Sequence, residues 1–222
     1  MKHHQRALTR STQAVTRETR HKELLCETSP GARQRVLWID GVGGFQLIEA
    51  EEALLGQAIP GSPVDIAVVG DLSRRAAAIR RSAGDYLLQP LQAMTLNGKI
   101  VDRPQLLADG DELQLGKCVK LGFHKPSPLS ATARLSMLSL NRFKPSVDSV
   151  LLLADSCIIG PNPSSHVHCP NWKNELLLFR KGEGWVFRTL DEVEVNGVLT
   201  QGQIPMEPGM RIGGEDFSLS IE

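Results

Sequence analysis

Between residues 35 and 124, short apolar runs alternate with clusters of Gly, Pro, Asp and Asn. Val36-Leu37-Trp38-Ile39, Phe45-Gln46-Leu47-Ile48 and Ala53-Leu54-Leu55 are too short for helices and are bounded by turn formers, so they predict strands. Asp65-Ile66-Ala67-Val68-Val69, the stretch through Ile79 to Arg81, Tyr86-Leu87-Leu88, the run ending at Leu115 and Val119 to Phe123 continue the pattern of an all-β domain. Asp40-Gly41-Val42-Gly43-Gly44 has the look of a dinucleotide loop. The third glycine of that motif would fall at Gln46, and the residues after it are strand-like, so a glycine-rich turn is expected instead. Asn97-Gly98 predicts a two-residue hairpin, because both central positions of a type I′ turn need positive φ.

The pattern breaks over 125–147, where Pro, Ser, Ala and Thr mix with scattered leucines, and a docked linker is expected there, short helix or extended connector. From Val150-Leu151-Leu152-Leu153 the earlier landmarks return. Trp185 follows Tyr86, Asn196 follows Asn97, Gly197 follows Gly98 and Gly209 follows Gly110, each 99 residues later. Ile158-Ile159-Gly160 matches Leu54-Leu55-Gly56 at 104, so the second copy is five residues shorter in a loop. The chain is thus expected to hold a domain over 35–124 and a shorter one over 148–222, each a β-sandwich.

Composition adds boundaries to this picture. Residues 1–34 hold few large apolar side chains and predict a flexible basic tail. Up to Arg35 there are eight Lys and Arg against three Glu, a local +5 within a chain of zero net charge. No general basic field exists to draw nucleic acid or a membrane surface. No apolar run is long enough to span a bilayer as a helix. Cys26, Cys118, Cys157 and Cys169 are widely spaced, with no CxxC and no apolar leader, so reduced thiols and a cytoplasmic setting are expected.

Four landmarks of the first unit, in order and spacing, resemble the forkhead-associated (FHA) domain: Leu55-Gly56, Ser73-Arg74, Asn97-Gly98, and the Leu-x-Asp-Gly-Asp-x-Leu-x-Leu-Gly run from Leu107 to Gly116. The resemblance implies two tandem FHA-like β-sandwiches, the second degenerate, and recognition of a phosphothreonine peptide by loops at one end. A dianion needs converging hydroxyl, amide and cationic donors. Carried over, the phosphopeptide-binding positions are Gly56, Gln57, Ser73, Arg74 and Gln92. Asn97, Gly98, Asn196 and Gly197 are expected to be structural turn residues. Gln57 stands where the family has arginine, Ala76 where it has a bracing histidine, and Gln92 where it has asparagine. Phosphate capture is therefore expected to be weakened by on the order of 1–2 kcal/mol. Altered phosphopeptide binding and a vestigial, phosphate-independent contact surface both remain open.

In the second unit Trp172, Lys173, Glu175 and Asp191 take the places of Ser73, Arg74, Ala76 and Gln92, and two carboxylates there would repel a phosphate. His166, His168 and Cys169 have a zinc-like composition, but no fourth ligand stands at a supporting spacing, so no metal is expected. No cofactor motif and no nucleophile paired with a base appear, and Ser73 among cations suits anion contact better than attack. The expected function is a non-enzymatic interaction or scaffold module. Its partner would be a Thr-phosphorylated segment of the chain's own tail or of another protein, and not nucleic acid or membrane. The alternative is a structural or assembly protein whose degenerate folds make phosphate-independent contacts.

Overall fold

A computed structural model describes residues 35–222, all in strands, turns and loops. The strands are β1 (Arg35–Ile39), β2 (Gly43–Ile48), β3 (Glu52–Gln57), β4 (Ile66–Val69), β5 (Ala77–Ser82), β6 (Asp85–Pro90) and β7 (Met94–Leu96). There follow β8 (Lys99–Val101), β9 (Gln105–Leu107), β10 (Glu112–Leu115), β11 (Val119–His124), β12 (Ala133–Met137), β13 (Arg142–Lys144) and β14 (Ser149–Leu152). The last are β15 (Ser156–Gly160), β16 (Val167–His168), β17 (Leu176–Lys181), β18 (Gly184–Val195), β19 (Val198–Pro205), β20 (Arg211–Gly213) and β21 (Ser218–Ile221). The expected tail lies outside the described residues.

Two sheets carry the fold. The six-stranded sheet runs β13-β4-β3-β5-β6-β9. The other, of 15 strands, runs β16-β15-β17-β18-β20-β21-β1-β2-β14-β12-β11-β10-β7-β8, with β19 beside β18. One core fills the space between the six-stranded sheet and the part of the long sheet from β1 to β8. Along β18 the long sheet turns a corner: residues 184–188 pair with β17, residues 194 and 195 with β20, and a register shift falls between Thr189 and Val193. That irregularity lets β15, β16 and β17 fold back over β21, β1, β2 and β14 and enclose a second core.

The strands β1, β2 and β14 form a wall common to both cores. Val36, Ile48, Val150 and Leu152 point into the first, and Leu37, Ile39, Phe45, Leu47 and Leu151 into the second. Strands buried on both faces read as near-continuous apolar runs, broken here in β2 by Gln46, which is fully buried and donates its Nε2 to Asp65 O at 2.9 Å. β14 runs parallel to β2, and β21 pairs with β1, so the end of the chain closes against its first described strand.

The segment expected as a linker contributes two short strands. β12 lies between β11 and β14, with Ala133 and Leu135 buried beneath more exposed Arg134 and Ser136. β13 pairs with β4 and extends the smaller sheet. Its Phe143 is buried in the first core. This period-two alternation within Ala133–Met137 is a strand pattern, and it excludes the short-helix option.

The internal repeat extends to hydrogen-bond detail. Asn97 and Asn196 both adopt positive φ, 51° and 50°. Their side-chain oxygens accept the backbone N–H of Glu112 and Arg211 at 2.8 and 2.9 Å. Arg81 N–H bonds to Glu51 O and Arg180 N–H to Asp155 O, the same ladder position in each copy.

Candidate functional site

At one end of the first sandwich the loops after β3, β4 and β6 meet. Gly56 is there because nothing larger fits: a Cβ at this position would overlap the Arg74 carbonyl oxygen. That close approach lets Gln57 N–H bond to Ser73 O at 3.1 Å and Ala76 N–H bond to Leu55 O at 2.8 Å. Ala76 O in turn accepts from Leu91 and Gln92 N–H at 3.0 and 3.2 Å. Backbone bonds therefore hold the three loops together around a buried alanine, with no histidine imidazole involved.

These bonds bring all five sequence-expected positions to one end of the sandwich, but their side chains differ in availability. Ser73, Arg74 and Gln92 are exposed. Gln57 turns inward, and its Nε2 donates to Gly70 O at 3.0 Å, bracing the loop after β4. Its amide nitrogen is committed within the fold. A hollow of about 230 Å³ opens between Ile59-Pro60-Gly61-Ser62-Pro63 and the pair Arg74-Arg75. The Ser62 hydroxyl oxygen is buried and has no hydrogen-bond partner. Arg74 and Arg75 are exposed, and neither takes part in the ion pairs found among the described residues. The sequence gives no sign of Ser62 as a lining group, because a serine between Gly61 and Pro63 reads only as loop punctuation.

The corresponding end of the second sandwich is built differently. Trp172 is 6% exposed and stacks on Phe217 with ring centroids 4.5 Å apart. Where the first copy has a free cation, Lys173 Nζ lies 2.6 Å from Glu215, whose carboxylate holds the ammonium above its ordinary range. The Lys173 amide is taken by Asp216. Asp191 accepts from Asn174 Nδ2 at 2.6 Å. The hollow here, about 600 Å³, is lined by Pro161, Asn162, Pro163, Lys173, Asn174, Glu175 and Leu190. With its one cation neutralised, it offers no attraction to a dianion.

The His166, His168 and Cys169 group does not converge. His166 is fully buried and its Nδ1 accepts the Ile158 N–H at 2.9 Å, whereas His168 faces solvent. Among the described residues no three His, Cys, Asp or Glu side chains gather as cation donors. Burial pushes the thiols of Cys157 and Cys169 up to about 12, so both pack as neutral apolar groups.

Among the described residues one serine–histidine contact is found, His124 Nε2 with Ser136 Oγ at 3.0 Å. It lies on neighbouring strands whose amides are engaged in the β11, β12 and β14 ladders. No pair of free N–H groups remains there to hold an oxyanion.

No family model matches the chain, and no curated protein matches it. Among solved structures it is similar to the Rv0020c FHA structure, at 26% identity over 40% of this chain and 91% of that one, with a TM-score of 0.25. It is also similar to the N-terminal FHA domain of EssC, a component of the bacterial Type VII secretion apparatus. That likeness has 10% identity, covers 85% of this chain and 92% of the other, and has a TM-score of 0.24.

Proposed function

We propose that the chain is a non-enzymatic protein-interaction module whose first sandwich docks a phosphothreonine-bearing segment at the Ser73-Arg74 end. The observation that carries this reading is the hollow beside Arg74 and Arg75, two exposed guanidiniums that take part in none of the ion pairs among the described residues. Cationic and hydroxyl donors on loops held rigid from behind are the means by which a phosphate dianion is captured from water. Ser73 and Arg74 contact the phosphate in this reading, and Gln92 holds the peptide beyond it. Gln57 acts from behind, by fixing the loop through Gly70. The second sandwich is a degenerate copy that reads no phosphate and orients the first, and the two form tandem FHA-like units in a cytoplasmic protein.

A second reading is a structural or assembly role with phosphate-independent contacts, favoured by the inward commitment of Gln57 and the replacement of a bracing histidine by Ala76. Calorimetric titration with phosphothreonine peptide libraries and their unphosphorylated twins separates the two. The first reading expects a preference for the phosphorylated member that Arg74→Ala abolishes. Equal binding of both members of every pair overturns it in favour of the second.

A further inference from the structure

The two sandwiches differ sharply at one sheet edge. β19 pairs with β18, and among the described residues no strand covers its other side. Ninety-nine residues earlier, the same edge of the first copy is broken into β8 and β9, three residues each, separated by Asp102-Arg103-Pro104. Short edges carrying charge and proline are how sheets avoid pairing with other chains. In β19 the charges are gone, and its one proline, Pro205, stands at the strand's end. Val198, Gln201, Gly202 and Gln203 stand where the first copy has Lys99, Asp102, Arg103 and Pro104. The result is an eight-residue strand without a charged side chain, in which Gly202 takes a φ of 92° opposite the Thr189–Val193 register shift, and whose Val198 and Leu199 are 65% and 66% exposed.

The direction of its free groups follows from one bond. Met206 N–H donates to Trp185 O at 2.8 Å. Alternation along the strand then turns the amides of Ile204 and Gly202 toward β18, and those of Gln203, Gln201 and Leu199 away from it. Three outward N–H groups with their carbonyls, flanked by exposed apolar side chains, form a template for another strand.

We propose that this edge pairs with β19 of a second copy of the chain, antiparallel about a two-fold axis through Gln201, making one sheet continuous across two protomers. In that register Gln201 meets its own counterpart and Leu199 meets Gln203 of the second copy, so every outward amide finds a carbonyl. Self-pairing about a two-fold axis sets a strand against itself, and like charges directly opposite one another are destabilising, so the geometry favours a strand without charge. The neighbouring strand adds complementarity. Glu194 stands beside Leu199 and Arg188 beside Gln203. Each cross-strand row thus begins with the carboxylate of one protomer and ends with the guanidinium of the other.

Sedimentation velocity of the full chain, from micromolar to near-millimolar concentration, tests the proposal together with hydrogen exchange at single amides. The expected result is a concentration-dependent dimer, with exchange at Leu199, Gln201 and Gln203 slowing as it forms. Gln203→Pro restores the proline of the first copy at an amide that points away from β18, and Gln201→Lys puts like charges on the axis. Each weakens dimerisation at least tenfold while far-UV circular dichroism stays unchanged. Should the proline variant fail to fold, the lysine variant carries the test. A monomer at every concentration overturns the proposal. So does a dimer that neither substitution weakens and whose edge amides exchange independently of concentration. A monomer whose edge amides become protected only when an unrelated strand-forming peptide is added assigns the edge to another protein and also overturns self-pairing.

Discussion

Arg134 on β12 donates from Nη1 to the carbonyl oxygen of His166 at 3.1 Å, tying the sheet of the first sandwich to the β15–β16 corner of the second. His166 is fully buried beside this guanidinium, and its Nε2 has no hydrogen-bond partner. Burial first, and then the Arg134 charge, lower its pKa from 6.5 to about 4.

Stability of the second sandwich is therefore expected to fall in mild acid. The folded state holds the His166 ring neutral, while the unfolded chain takes up a proton near pH 6.5. The contribution is fully present above that value and is lost as the pH drops from 6.5 toward about 4, reaching on the order of 3 kcal/mol. Urea midpoints followed from neutral pH to about 4 should fall steeply in the wild type and less so in His166→Gln. Parallel curves for the two proteins would remove His166 as the cause.

The shared wall predicts that the two sandwiches unfold together. Leu151 is fully buried in the second core, and its neighbour Val150 is fully buried in the first on the opposite face of β14. Leu151→Ala should cost about 2–5 kcal/mol. Because the strand it weakens also walls the first core, calorimetry should still show one transition at a lower temperature. Two separated transitions, with only one displaced, would mean that the wall does not couple the cores.

Much of this architecture was legible because strand registers repeat. The 99-residue spacing of Tyr86 with Trp185 and Asn97 with Asn196 anticipated a second sandwich with the same hairpin. Its unequal chemistry was less legible: Tyr86 donates its hydroxyl to Ala131 O at 2.7 Å, whereas the Trp185 indole nitrogen is buried without a partner. The sharing of β1, β2 and β14 was present as the unbroken apolar runs Val36–Ile39 and Val150–Leu153, yet periodicity alone does not say which two layers cover a doubly buried strand. β13 was hidden for a different reason. At three residues, Arg142-Phe143-Lys144 carries one apolar anchor, and only the free edge of β4 turns it into a strand. At the candidate site the sequence showed which donors are missing. It did not show that Gln57 faces inward, because that depends on the Gly70 carbonyl, 13 residues away.

The paired asparagine turns give a comparison internal to one chain. Asn97 and Asn196 each combine positive φ with a side-chain bond to a backbone amide 15 residues on. Asn97 Nδ2 also donates to Asp111 Oδ1 at 2.7 Å, a second bond on one amide. Replacement by alanine should cost about 1–2 kcal/mol at either site through strain and the lost bond. The loss should be greater for Asn97→Ala, and denaturant midpoints of the two variants give the ranking directly.

Gly56 and Arg74 make separable predictions for the proposed anion site. Gly56→Ala forces its Cβ against the Arg74 carbonyl oxygen, so the loop after β4 must move, at a stability cost of about 1–3 kcal/mol. Arg74→Ala removes an exposed side chain with no ion pair among the described residues and should leave the melting temperature within a degree or two of wild type. A lost charge-assisted bond of about 1.5–3 kcal/mol still predicts at least tenfold weaker binding of a phosphothreonine peptide by Arg74→Ala. Gly56→Ala should lower affinity and stability together, and Arg74→Ala affinity alone. If Arg74→Ala leaves phosphopeptide affinity unchanged while Gly56→Ala reduces it, the loop backbone and not the guanidinium holds the ligand.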